Sequence, residues 1–141
     1  MRLAFAADHA GAALKAELIE TARAAGHAVV DLGTDGADSV DYPDFGRSCA
    51  ARVAGGEVER GVVVCGTGIG IAIAANRVAG ARCAVVHDVT TARLARSHND
   101  ANLMALGARV VGTQVAVDCL MAFLDTAFEG GRHQRRVAKL G

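Results

Sequence analysis

Residues 61–76 read GVVVCGTGIGIAIAAN: a β-branched apolar run ending at Cys65, three alternating glycines (Gly66, Gly68, Gly70), then Ile and Ala at helical spacing. A short apolar run bounded by glycine reads as a buried strand, and the Ala-rich segment behind it as a helix packed on that strand. The same alternation extends outward in both directions. Strands are predicted at Leu3–Ala7, Ala28–Asp31, Gly61–Cys65 and Cys83–Val86, with a fifth, weaker one at Met104–Leu106 or at Val110–Val111. Helices are predicted at Ala12–Ala25, closed by Gly26, and at Phe45–Ala54, Gly70–Val78, Thr90–Ser97 and Thr113–Phe128. Strands alternating with helices are the mark of βα units in a parallel sheet. With one proline, no repeat and no Gly/Ser/Pro linker, residues 1–141 are expected to form a single α/β domain.

Composition narrows the function classes. Fifteen Lys plus Arg balance fifteen Asp plus Glu, so no global field draws the chain to nucleic acid or to an anionic membrane, and any anion has to be held locally. Hydrophobic residues are 52% and aromatics 4%, an Ala/Val-rich mixture suited to close helix-on-sheet packing. The start, MRLAFAADHAG, carries a short apolar stretch cut off at Asp8, too short for a signal peptide, so a cytoplasmic protein is expected. The uncharged stretch 61–76 falls short of a spanning helix and is interrupted by glycines. Cys49, Cys65, Cys83 and Cys119 form no CxxC pair, which argues for reduced thiols rather than a disulfide framework or zinc knuckle.

In open parallel sheets, ligands bind beyond the carboxyl ends of the strands. That rule singles out Asp8-His9 after the first strand, Cys65 to Gly70 after the third, and His87-Asp88 after the fourth. Successive amides of the glycine loop can point at one anion. The loop is no dinucleotide fingerprint, because Ile71 stands where a third glycine would be required, and no Gly-Lys-Ser/Thr follows. Tight packing alone is the bland account of such a turn. A thiol at a helix N-terminus tips the balance, since the dipole and amide donors generally favour a thiolate there. Asp8-His9 fits either a helix cap or a substrate contact. His98 fits either a C-terminal dipole partner or a general acid–base. His27 and His87 are read as structural. The tail GGRHQRRVAKLG is either a solvated basic segment or a clamp in which Arg132 and Arg136, one helical turn apart, face the same phosphate.

The motifs AADHAG, DYPDF, CGTGIGIAIAANR, SHNDANLMALGARVVG and EGGRHQRRV, in this order along nearly the whole chain, resemble ribose-5-phosphate isomerase type B and its galactose-6-phosphate isomerase relatives. The resemblance implies a Rossmann-like three-layer α/β/α sandwich with a five-stranded parallel sheet. It implies a homodimer, or a dimer of dimers, with sites across the subunit interface, no metal or organic cofactor, and a place in the pentose phosphate pathway. It also implies roles. Cys65 matches the proton-abstracting base, Thr67 the hydroxyl beside it, and His98, with Asn99 next to it, the acid–base that opens the sugar ring. Asp8 and His9 match substrate contacts, the loop Gly66, Gly68, Ile69 and Gly70 the anion cradle, and Arg109, Arg132 and Arg136 the phosphate-proximal arginines. One branch of that family carries Glu where this chain has Ile71, so only the cysteine-based chemistry fits these residues. VVHDVTT, residues 85–91, departs from most relatives and bears on substrate preference.

The expected reaction is ribose 5-phosphate to ribulose 5-phosphate through a cis-enediolate; erythrose 4-phosphate, allose 6-phosphate and galactose 6-phosphate are alternative substrates. The rivals from other classes are a non-catalytic sugar-phosphate binding module, which has no use for the thiol, and a cysteine hydrolase with a Cys65/His98 dyad, for which no orienting third residue is identifiable. The arginine spacing yields a first prediction. Arg132→Ala and Arg136→Ala each weaken competitive inhibition by inorganic phosphate about ten- to a hundred-fold, as loss of a charged hydrogen-bonding partner does. Arg135→Ala, on another side of the turn, changes it little; equal losses in all three variants would mean a diffuse basic patch.

Overall fold

The computed structural model describes residues Met1–Gly141. Eleven elements follow in strict alternation until the last: β1 (Arg2–Ala7), α1 (Ala12–Ala24), β2 (Ala28–Asp31), α2 (Tyr42–Ala54), β3 (Arg60–Cys65), α3 (Ile69–Ala75), β4 (Cys83–Val85), α4 (Val89–Ser97), β5 (Leu103–Gly107), α5 (Thr113–Asp125) and α6 (Arg132–Ala138). The strands form one sheet in the order β2-β1-β3-β5-β4, and every pairing is parallel. The fold class and the five strands are as expected. The fifth strand is the Met104–Leu106 alternative, widened to Leu103–Gly107; Val110–Val111 forms no strand, and Val110 is exposed. Helix α2 begins at Tyr42, earlier than predicted, because Pro43 sits in its first turn, where a missing N–H is tolerated. Helices α3 and α5 each end three residues sooner than predicted.

Side chains alternate across the sheet, as its period of two requires. Leu3, Phe5, Val62, Val64, Met104 and Leu106 face α1, α4 and α5. Ala4, Ala6, Val63, Cys65, Leu103 and Ala105 face α2 and α3. The helices therefore cover both faces, giving the three layers. At the edge strand β4, the Asn76 side chain accepts the Cys83 N–H at 2.8 Å and donates to the Cys83 carbonyl at 2.9 Å, filling the place of a further strand. No helix is long and apolar enough to cross a membrane.

The connections from β1 and β3 leave in opposite directions: the chain goes from β1 through α1 to β2 on one side, and from β3 through α3 toward β4 on the other. Adjacent strands whose helices diverge leave a crevice at their carboxyl ends. Asp8 follows β1 there and Cys65 ends β3.

One buried charge lies under this edge. Lys15, 2% exposed, pairs with Asp31 at the end of β2, whose side chain is 41% exposed. Burial alone would push the Asp31 carboxyl up, but the Lys15 ammonium and the Gly33 N–H outweigh it and hold the carboxyl below its ordinary value. Its contribution to stability is thus fully present above the unfolded-state value near 3.8 and is lost as pH falls through the lowered native one. Asp31→Asn is predicted to destabilise the fold by about 1 to 3 kcal/mol in urea melts at pH 7, since it leaves a buried ammonium without a charged partner. Lys15→Met should cost less, because the thioether fills the same channel and the remaining carboxylate can hydrate.

Candidate active site

The strand end and the glycine loop build one small cavity. It has a volume of about 250 Å³ and is lined by Asp8, Tyr42, Cys65, Gly66, Thr67, Gly70 and Arg109. Cys65 is only 4% exposed and accepts the Gly68 N–H on its Sγ at 3.1 Å. Gly68 makes that approach with φ of +79°, a left-handed conformation that glycine adopts without strain. Thr67 Oγ1 accepts the Ile69 N–H at 3.2 Å. Two amides of the expected Gly68–Gly70 cradle are therefore already spent on the thiol and on the hydroxyl, a finer arrangement than the anion nest read from the loop.

Close packing fixes the walls. A Cβ on Gly70 would lie 2.3 Å from the Tyr42 ring, so the ring rests directly on the loop backbone. Arg109 lies along Gly66, whose added Cβ would come 3.3 Å from the guanidinium, and its backbone N–H donates to the Gly66 carbonyl at 2.9 Å. Asp8, 6% exposed, accepts the Gly11 N–H at 3.1 Å, so it caps the turn into α1 while also lining the cavity.

His9 faces elsewhere. It lines a neighbouring cavity with Lys15, Asp31, Thr34 and Asp35, and its Nδ1 accepts the Val40 N–H at 3.2 Å. His98, Asn99, Arg132 and Arg136 do not line the Cys65 cavity. His98 ends α4 as its C-cap, and Arg132 and Arg136 are exposed on α6. The two helices meet where His98 stacks on His133, ring centroids 4.2 Å apart. The chemistry-bearing residues thus fall into two groups, one around Cys65 and one around His98. The packing of Tyr42 on Gly70 links residues distant in sequence and has no local signal in it.

The remaining thiols differ from Cys65 in setting. Burial pushes Cys49 up to about 12 and Cys119 up to about 11, the latter with Asp88 and Asp118 adding to it. Burial, with Cys49 nearby, also raises Cys83, which lies half-buried on the edge strand. All four are free.

Comparison with known proteins places these features in context. The family model described as Ribose/Galactose Isomerase matches residues 3–140. The ribose-5-phosphate isomerase B of Escherichia coli K12 is 46% identical over 136 residues, covering 96% of this chain and 91% of that one. A structure of Clostridium thermocellum ribose-5-phosphate isomerase B superimposes with a TM-score of 0.99 at 50% identity, covering 100% of this chain and 95% of the other. The Mycoplasma genitalium ribose-5-phosphate isomerase B, solved with bound ribulose 5-phosphate, matches with a TM-score of 0.95 at 40% identity over 99% of this chain and 93% of the other.

The contrast among the thiols gives the prediction of this site. Substoichiometric iodoacetamide at pH 7.5 should alkylate Cys65 first, inorganic phosphate should slow that reaction, and Cys49 and Cys119 should stay unmodified until the protein unfolds. Peptide mapping by mass spectrometry reads the order; equal labelling of Cys49 and Cys65 would contradict it.

Proposed function

This chain belongs to the ribose/galactose isomerase family and is an aldose–ketose isomerase of a phosphorylated sugar, and from that premise we propose that it interconverts ribose 5-phosphate and ribulose 5-phosphate with Cys65 as the base. The observation that carries the residue assignment is the Cys65 thiol, amide-bonded at the end of β3 and lining a cavity with Asp8, Thr67 and Arg109. The five-carbon substrate is supported by the relatives that carry that name and by the one solved with ribulose 5-phosphate.

The reaction needs an open sugar, a proton removed from C2, and a home for the resulting charge. His98 moves a proton between the ring oxygen and the anomeric hydroxyl to release the aldehyde. Cys65 thiolate then takes the C2 proton; the bonding pair forms the C1–C2 double bond and the carbonyl electrons move to O1. Transfer of the O2 hydroxyl proton to O1 and return of the thiol proton to C1 complete the ketose. Amides of the Gly66–Gly70 loop other than those of Gly68 and Ile69, which bond the thiol and the Thr67 hydroxyl, stabilise the enediolate oxygen. Such donors are worth about 3 kcal/mol each in other enzymes. Arg109, Arg132 and Arg136 hold the phosphate, and that remote binding energy positions the reacting carbons.

A homodimer reconciles the two groups of residues. His98, Asn99, Arg132 and Arg136 are absent from the Cys65 cavity of their own chain, so a second copy of the chain would bring its His98 group to that cavity. Ile69 and Ile73, each 55% exposed on the helix behind the loop, supply apolar surface for it to cover. The free thiols fit a reducing compartment such as the cytoplasm, and the proposed substrate pair would place the enzyme in the pentose phosphate pathway.

Cys65→Ala or Cys65→Ser should lower kcat at least about a hundred-fold with little change in KM, as loss of a group acting in the transition state does. Exchange of solvent hydrogen into C2 should vanish with it, and retained turnover would reject the assignment. His98→Asn should depress turnover of ribose 5-phosphate far more than that of erythrose 4-phosphate, which has no hydroxyl free to close a stable ring. Equal losses on both would reject ring opening as its role.

A further inference from the structure

The carboxyl end of α4 holds more than the one histidine the reaction uses. The rings of His98 and His133 lie face to face, 4.2 Å between centroids and 13° between planes. His133 is buried on α6, and its Nε2 lies 3.4 Å from the Glu129 carboxylate. The Glu129 backbone N–H in turn donates to the carbonyl of Ser97, the residue before His98, at 3.0 Å. Glu129 therefore holds both the backbone beside His98 and the ring that covers it.

Donor atoms of His98, Glu129 and His133 lie within 4.8 Å of one another, a set that elsewhere ligates transition metals. The stack speaks against a shared ion. A ligated metal lies in the plane of each imidazole about 2.0 to 2.1 Å from its nitrogen, and two nearly parallel planes at this separation have no such point in common. What a stack does is fix a ring. The χ2 torsion of histidine is broad, so a half-exposed His98 at a helix end needs a neighbour to define its plane. Backbone on the far side is fixed independently: Asp100, at φ of +46°, accepts from Arg82 at 3.3 Å and from Arg96 at 2.9 Å, and Arg96 also donates to the Ala101 carbonyl at 2.6 Å.

We propose that His133, anchored by Glu129, is a positioning residue that holds the His98 imidazole in the orientation from which it moves the ring-opening proton. This rests on the reading of His98 as the ring-opening acid–base. His133 acts through His98, so its loss affects only the step His98 serves.

The test compares wild type, His98→Asn, His133→Leu, His133→Phe and Glu129→Ala on ribose 5-phosphate and on erythrose 4-phosphate. His133→Leu fills the buried space without a flat ring, and should lower kcat on ribose 5-phosphate about ten-fold or more, the scale of a displaced catalytic group. Its KM, and its kcat on erythrose 4-phosphate, should stay within about two-fold of wild type. His133→Phe, which keeps a stacking ring, should recover most of the loss, and Glu129→Ala should show the same selective pattern in smaller measure. In the His98→Asn background His133→Leu should have no further effect on ribose 5-phosphate. The His98 Hε1 resonance, carried upfield by the ring current of its neighbour, should lose that displacement in His133→Leu and keep it in His133→Phe. Equal losses on both substrates, equal behaviour of Leu and Phe, or an unmoved His98 resonance in His133→Leu would overturn the proposal. Selective His98→Asn together with unselective His133→Leu overturns the positioning alone; an unselective His98→Asn removes the ring-opening reading and the proposal with it.

Discussion

The site depends on how closely the turn after β3 passes the end of β5. A Cβ on Gly107 would lie 2.6 Å from the Thr67 carbonyl oxygen, and one on Gly68 would lie 2.9 Å from the Leu106 carbonyl carbon. Backbone rests on backbone at both points. The contact is reinforced by ladder bonds running on past the strands, with Ala108 N–H donating to the Cys65 carbonyl and Arg109 N–H to that of Gly66, each at 2.9 Å. Gly107 pairs in register with Cys65 itself. One consequence is that the thiol is set by the rigid sheet rather than by a loop, which suits the proposed role of a base that must meet a carbon-bound proton within a fraction of an ångström. The other is that Arg109 is carried to the cavity by the same ladder.

The strand pattern was legible because each strand of the sheet is an apolar run punctuated by glycine or a charge, and residues 61–65 are buried throughout. The fifth strand was ambiguous because Val110–Val111 is more β-branched than Leu103–Gly107; position in the middle of the sheet, between β3 and β4, overrides propensity. On the site, Asp8, Cys65, Gly66, Thr67, Gly70 and Arg109 meet as strand ends should. His9 sits one residue beyond Asp8 yet lines another cavity, since consecutive side chains leave a strand end in different directions. Nothing local announces that His98 and His133 stack across 35 positions, or that Tyr42 lies on Gly70. These are contacts between elements, and composition and period carry no record of them.

The two groups answer different physical demands. A chain with balanced charge has no long-range field to gather an anionic sugar. Capture is therefore a matter of a few guanidiniums at short range, and Arg132 and Arg136 stand exposed on α6 for that purpose in the proposed scheme. Proton transfer from carbon demands the opposite surroundings, a nearly closed pocket where amide dipoles are not diluted by water. The Cys65 side chain is buried among Ala, Val and Ile side chains on the α2/α3 face, beneath a cavity open on its outer side that the second copy of the chain would close in the proposed scheme. Separating the two functions onto different elements lets the exposed group hydrate freely without opening the other to solvent.

Position 71 is bound to position 65 by packing. Ile71 is fully buried in the same apolar cluster as Cys65, and its carbonyl would lie 2.7 Å from a Cβ added at Gly46, so the first turn of α3 is seated tightly against α2. A glutamate placed here alone would bring a carboxylate into that seam without a partner, at a desolvation penalty that favours its neutral form. Ile71 and Cys65 pack into one apolar cluster, so the side chain on the first turn of the helix and the one at the strand end constrain each other's volume. A charged side chain at position 71 therefore loses the core contact that seats α3 on α2.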